Sequence, residues 1–282
     1  MKDVDLEYIP ELKNALFIAC FDGWGNALDI SMGMASSLIK GLGATCFGRF
    51  RTDPFYLMKE RRPIIEVVEG NLQKLKAPTC ELYEARSEST GRDLIILKGE
   101  EPDIQWFRFV DNVLSLCRKA GVETVVSCGG MLDNTHYADM MISVVASDGR
   151  IIKSLPVENP SLIDYAGQSS IHSTLHFAAK KRHMDCIGFY CHCPAYLQGI
   201  THFGLLAYLG GVLSKWGGFQ FDTHELSTAW LKVKKQIQQA VDQNPEMKTF
   251  VNEIRKSRGK ANLDPFRKNG NVINLEDYWI DK

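Results

Sequence analysis

No stretch of this chain is apolar for long enough to cross a membrane. The longest apolar run, FGLLAYLGGVL from Phe203 to Leu213, falls well short of the roughly 20 residues a spanning helix requires. The opening residues, MKDVDLEYIPELKN, are acidic and carry no apolar signal region. A cytoplasmic protein with no membrane partner is the expectation. A basic face is missing as well. Thirty-three Lys and Arg balance 34 Asp and Glu, and the basic clusters are as short as Arg61-Arg62 and Lys180-Lys181-Arg182. Phosphate neutralisation dominates nucleic-acid affinity, so no nucleic-acid partner is expected.

Chemical signatures are equally sparse. Eight cysteines are present, but no pair of regularly spaced CxxC motifs that would build a zinc ribbon, so they read as reduced, buried thiols. There is no Walker A sequence, no HExxH and no GxSxG elbow. The turn GWGNAL has glycine at 23 and 25, but the dinucleotide fingerprint needs a third glycine where Leu28 stands. Internal repeats and low-complexity tracts are absent. No metal and no cofactor is expected, and no catalytic residue can be assigned.

What the chain does have is alternation. Short apolar runs (ALFIACF from Ala15, ATCFGRF from Ala44, RDLIILKG from Arg92, ETVVSCGG from Glu123, MMISVVAS from Met140, MDCIGFYCHC from Met184) are separated by segments with helical spacing. IIEVVEG from Ile64 and TCELYEA from Thr79 read as further, half-buried strands. Helices are predicted before Gly41 and Gly43, from the Glu100–Asp103 acidic start to Gly121, over QSSIHSTLHFAAKKR, and over GITHFGLLAYLGGVLSKWG. This pattern predicts a three-layer α/β/α domain with a mostly parallel sheet over residues 1–221. Two charged amphipathic helices over 222–258 form an appended C-terminal hairpin, the first capped by Asp222 or Thr223, and 259–282 is a polar tail.

Several short segments carry polar groups where α/β folds bind ligands, at strand C-terminal ends. Gly23, Trp24, Gly25 and Asn26 form a strand-to-helix turn whose backbone N–H groups could face an anion; the competing reading is a tight turn presenting Trp24. Glu100 and Asp103 could serve a magnesium nucleotide, or simply start a helix. Gly129, Gly130 and His136 lie in SCGGMLDNTH, where glycine allows close approach and His136 could move a proton; an irregular loop is the alternative. His172 and His176 are spaced i, i+4 on one helix face, a metal-chelating spacing that lacks further ligands. In a strand, Cys191 and Cys193 point to one face and His192 to the other, which makes the CHC triplet a poor metal tripod and suits core cysteines.

Four ordered segments, FDGWGNAL, LKGEEPDIQW, VSCGGMLDNTHYAD and CHCPAYLQGITHFGLLAYL, together resemble the proteasome assembly chaperone family, in the branch named after the second eukaryotic chaperone. Its archaeal and bacterial members are often labelled ATP-grasp-like. The resemblance covers roughly residues 10 to 220. It implies a phosphorylase-like α/β/α fold, self-association and protein partners, with Trp24 and Tyr196 as aromatic contact candidates. Some archaeal relatives dock on the proteasome through a C-terminal hydrophobic–tyrosine–any tripeptide; here Ile280, Asp281 and Lys282 depart from it at the tyrosine. The leading expectation is a non-enzymatic, chaperone-like scaffold that forms a homo-oligomer. The alternative is a small-molecule- or nucleotide-binding enzyme, ligase- or phosphorylase-like, built on the same loops. A third reading is a metal-dependent hydrolase using His172, His176 and His192.

Overall fold

The structure is a computed structural model that describes residues 2–87, 91–157 and 160–257. The polar tail and its last three residues lie outside the described residues. Strand β2 (Leu16–Asp22) runs through the middle of the molecule, and its first six residues are all buried. Side chains alternate along a strand, so Leu16, Ile18 and Cys20 feed one core and Phe17, Ala19 and Phe21 another. The first core packs under α1 (Ile30–Gly41) and α5 (Phe203–Gly217), the second under α2 (Trp106–Lys119) and α4 (Ile171–Lys181). The sheet is therefore covered on both faces.

The sheet is mixed rather than mostly parallel. β7 (Leu94–Glu100), β2, β8 (Thr124–Asp133) and β11 (Asp185–Pro194) form a parallel centre. On one side, β6 (Cys80–Ala85), β3 (Thr45–Phe50) and β1 (Val4–Leu6) add antiparallel strands. On the other, β9 (Ile142–Ala146) runs antiparallel to β11, and β10 (Ser161–Leu162) pairs with β9 in parallel. A short helix, α3 (Gly149–Lys153), follows β9. The links from β6 (ending at Ala85) to β7 (from Leu94) and from β8 (ending at Asp133) to β9 (from Ile142) are too short for the crossovers that parallel neighbours need, so the chain reverses direction at both margins of the parallel centre.

The segment at Ile64 departs from its expected half-burial. β4 (Ile64–Val68) is exposed throughout and pairs only with β5 (Asn71–Lys76), as a separate two-stranded hairpin. At the other end of the chain, α6 (His224–Gln243) and α7 (Pro245–Ser257) join the first core through Trp230, Ile237, Val241, Met247 and Val251. Asp222 accepts the His224 N–H at 2.8 Å, while Thr223, at the cap position itself, makes no side-chain bond. No described helix is long and apolar enough to cross a membrane.

Candidate functional site at the strand ends

The helices that leave β2 and β7 go to opposite faces of the sheet, so the chain parts at the C-terminal ends of these two strands, where open α/β sheets place ligands. Here the gap is filled by the chain's own carboxylate. Glu101, buried just past β7, accepts the Trp24 N–H at 3.0 Å with one oxygen and the Ile171 N–H, at the first residue of α4, at 2.9 Å with the other. Gly23 makes room for it: a β-carbon there would sit 2.3 Å from Glu101 Oε2. The anion that the Gly-Trp-Gly turn faces is thus Glu101. Trp24 itself is 58% exposed.

Asn26 completes the turn. Its side-chain oxygen accepts from Ser31 N–H and Met32 N–H, and its amide donates to Asp22. It caps α1 from outside, because Leu28 and Asp29 between them take left-handed backbone angles (φ 49° and 60°). Gly129 and Gly130 meet this turn directly. The Gly130 N–H donates to the Gly25 carbonyl at 2.7 Å, Asn26 and Gly130 form a parallel bridge, and a β-carbon on Gly130 would strike the Ala27 carbonyl at 2.5 Å. The first and third loops therefore lie together, in backbone contact.

Glu100 and Asp103 point elsewhere. They do not open α2, which begins at Trp106 after a left-handed Gln105 and has no acidic residue in its first turn. Both hold Arg61, at 2.8 Å and 2.7 Å, and Asp103 also accepts the Leu57 N–H. This pins the loop that leads into the β4–β5 hairpin. His136, after β8, stacks on Tyr137 and accepts the Ala138 N–H. Tyr196 is only 4% exposed; its oxygen accepts the Tyr137 N–H and its ring packs on Phe250.

Cys191 and Cys193 line the first core, and burial pushes the Cys193 thiol up to about 12. His192 faces the other way, towards α4, and there the structure assembles a group that the sequence patterns did not mark. His192 Nδ1 lies 2.7 Å from Asp133 Oδ2, and His192 Nε2 lies 2.6 Å from Ser143 Oγ. The carboxylate can only accept, so Nδ1 carries the proton and Nε2 takes the Ser143 hydroxyl proton as acceptor. The hydrogen bond from His192 holds the Asp133 carboxyl below its ordinary range. Beside Ser143, directly across the β9–β11 ladder, stands Tyr190. Beyond it, a β-carbon at Gly188 would lie within 3.2 Å of Ser127, Tyr190 and His176. His172 and His176 are buried here, and His172 Nδ1 and His176 Nε2 have no hydrogen-bond partner. Burial lowers His172 to about 4 and His176 to about 3, the latter helped by its neighbour, so both rings are neutral near pH 7. Among the described residues no group of three or more His, Cys, Asp or Glu is arranged to hold a metal, so the three histidines of the hydrolase reading do not form such a centre.

An open mixed sheet covered by helices on both faces is a fold that several solved structures share. The chain belongs to the PAC2 family, whose model matches residues 20–241, as the four ordered segments implied. Among curated proteins no match is found. A Mycobacterium tuberculosis protein of unknown function, Rv2714, aligns at 21% identity with a TM-score of 0.82, covering 91% of this chain and 88% of its own. The proteasome-assembly chaperone homologue Rv2125 of the same organism aligns at 21% identity and TM-score 0.73, covering 84% and 99%. The archaeal proteasome activator PbaB of Pyrococcus furiosus aligns at 16% identity and TM-score 0.67, covering 85% and 99%.

Proposed function

We propose that this chain works by binding proteins, first of all a second copy of itself, as a self-associating scaffold. The observation that carries this is the β4–β5 hairpin. The register pairs Ile65 with Leu75 and Val67 with Leu72, so these four aliphatic side chains share one face. A bulge that skips Gln73 brings Leu72 and Leu75, three apart in sequence, to the same side. The opposite face carries the Glu66–Lys74 ion pair. Ile64 and Val68 stand on that opposite face beside Glu66, and all six aliphatic residues of the hairpin are 49% to 70% exposed.

A lone two-stranded hairpin is marginal in water, and a contiguous apolar face of this kind marks a contact surface. A second copy would match this face with an identical one. Its four side chains expose on the order of 450 Å² per copy, so a face-to-face contact would bury roughly 900 Å² of them, the size of a weak, reversible association. That two similar structures are a proteasome-assembly chaperone homologue and a proteasome activator supports a larger protein assembly as the eventual target.

Light scattering at micromolar concentration tests this reading. The wild-type chain is expected as a dimer or a multiple of one. The double variant Val67→Glu, Leu75→Glu is expected to run as a folded monomer, since neither side chain joins a core, with its melting temperature lowered only by the lost association. A monomeric wild type would sink self-association. An unchanged oligomer in the variant would move the contact away from the hairpin.

A further inference from the structure

We propose that Ser143, with His192 and Asp133, is a nucleophilic centre for acyl transfer from a small, uncharged ester. The three residues come from β9, β11 and the end of β8, strands adjacent in the sheet but far apart in sequence. Their two contacts, 2.6 Å and 2.7 Å, are of the length that couples a nucleophile to a base and the base to an orienting carboxylate. His192 is fixed in the productive tautomer by Asp133, whose side chain is 31% exposed and opens the group to solvent at that end. Ser143 is 1% exposed, so the substrate must be small.

A second observation points to a ligand on the same face. His172 Nδ1 and His176 Nε2 are buried and unpaired, which costs stability unless something supplies the missing bonds. The lining also sets the substrate's charge. Among the described residues no Lys or Arg is buried, so a carboxylate or phosphate would enter without a counter-charge.

The chemistry balances without a further reagent. Ser143 Oγ bonds to the acyl carbon while its proton passes to His192 Nε2, and the carbon–alkoxide bond breaks as that proton moves to the departing oxygen. Water then gives a proton to Nε2 and its oxygen to the acyl carbon. The bond to Oγ breaks, and the proton returns to Ser143. The net reaction is ester plus water to acid plus alcohol.

The full-length chain is treated with a small alkyl fluorophosphonate and, separately, with p-nitrophenyl acetate, and the products are read by intact mass and peptide mapping. One covalent adduct on Ser143 is expected, absent in Ser143→Ala and formed at least tenfold more slowly in Asp133→Asn, with thermal melts showing that both variants are folded. No adduct at millimolar reagent, an adduct on another residue that survives in Ser143→Ala, or equal rates in wild type and Asp133→Asn would each overturn the proposal and leave a closed structural hydrogen-bond group.

Discussion

Two polar clusters lie under the C-terminal ends of the parallel strands, and they differ in whether their bonds are complete. Around Glu101, donors from the first turn and from the start of α4 converge on one carboxylate, and both of its oxygens are used. Across the sheet face under α4, the chain brings together Asp133, Ser143, Tyr190, His192, His172 and His176, yet leaves two imidazole nitrogens unpaired. A closed cluster acts as a structural junction. An open one keeps bonding capacity that only a ligand or solvent can use. The position most favoured by fold type for binding, between β2 and β7, is thus the stapled one, and the capacity lies further along the sheet, at β8, β11 and β9.

The largest effect should come from breaking the closed cluster. Glu101→Ala would strand the Trp24 and Ile171 N–H groups and unlink α4 from the β2 turn. Two hydrogen bonds to a charged acceptor in a buried setting are together worth about 3 kcal/mol or more. Chemical denaturation should show that loss, and Glu101→Gln should recover part of it by keeping one acceptor oxygen. A loss below about 1 kcal/mol would mean that the junction is not the staple described.

Acid should act on the open cluster. Both imidazoles are held below their ordinary value near 6.5, His172 to about 4 and His176 to about 3. The unfolded chain therefore binds protons first as pH falls. Stability is full above about pH 7 and declines from about pH 6.5 towards 4 and 3. By pH 5 each ring should have cost about 2 kcal/mol relative to neutral pH. His176→Leu removes an unpaired buried nitrogen and should flatten the acid limb by that amount while changing stability at pH 7.5 by less than about 1 kcal/mol. Denaturation midpoints at pH 7.5 and pH 5 for wild type and variant check both halves; parallel acid limbs would show that His176 is not the group responsible.

The sequence makes the open cluster only partly visible, for a physical reason. Side-chain parity along a strand can be read directly, and it places His192 opposite Cys191 and Cys193 and puts Asp133 on the same side as Ser127. Parity does not say which strands are neighbours. The order β8, β11, β9 is set by long-range packing, so Ser143, an unremarkable serine between Ile142 and Val144, gains its partners only in the folded sheet. The long elements are legible because burial on both faces of β2, β7 and β8 leaves continuous apolar runs. The short ones (β1, α3 and β10) are too brief for any period to register, and β5, NLQKLK, hides its apolar face because the bulge at Gln73 breaks strict alternation. The acidic run at Glu100 looks like a helix start because capping statistics see only local sequence; its real partners, Arg61, Trp24 and Ile171, are 39 to 77 residues away.

The smallest effect should come from Asp103, and it separates core from arm. Asp103 accepts from Arg61 and from Leu57 N–H, and its own N–H donates to the Phe55 carbonyl. Arg61 is about one-third exposed, so solvent screens the pair, and Glu100 still holds the guanidinium when Asp103 is gone. Asp103→Ala should therefore cost only about 1 kcal/mol of global stability. Its consequence should be local: faster amide hydrogen exchange over residues 57–78, with β2 and β7 unchanged, because the loop tethering the hairpin loses its anchor. If exchange rises instead across β2 and the melting temperature drops as far as in Glu101→Ala, the hairpin base belongs to the same cooperative unit as the sheet. The β4–β5 arm could not then reorient on its own to meet a second copy, and its apolar face would have to be matched by a partner that approaches it as it stands.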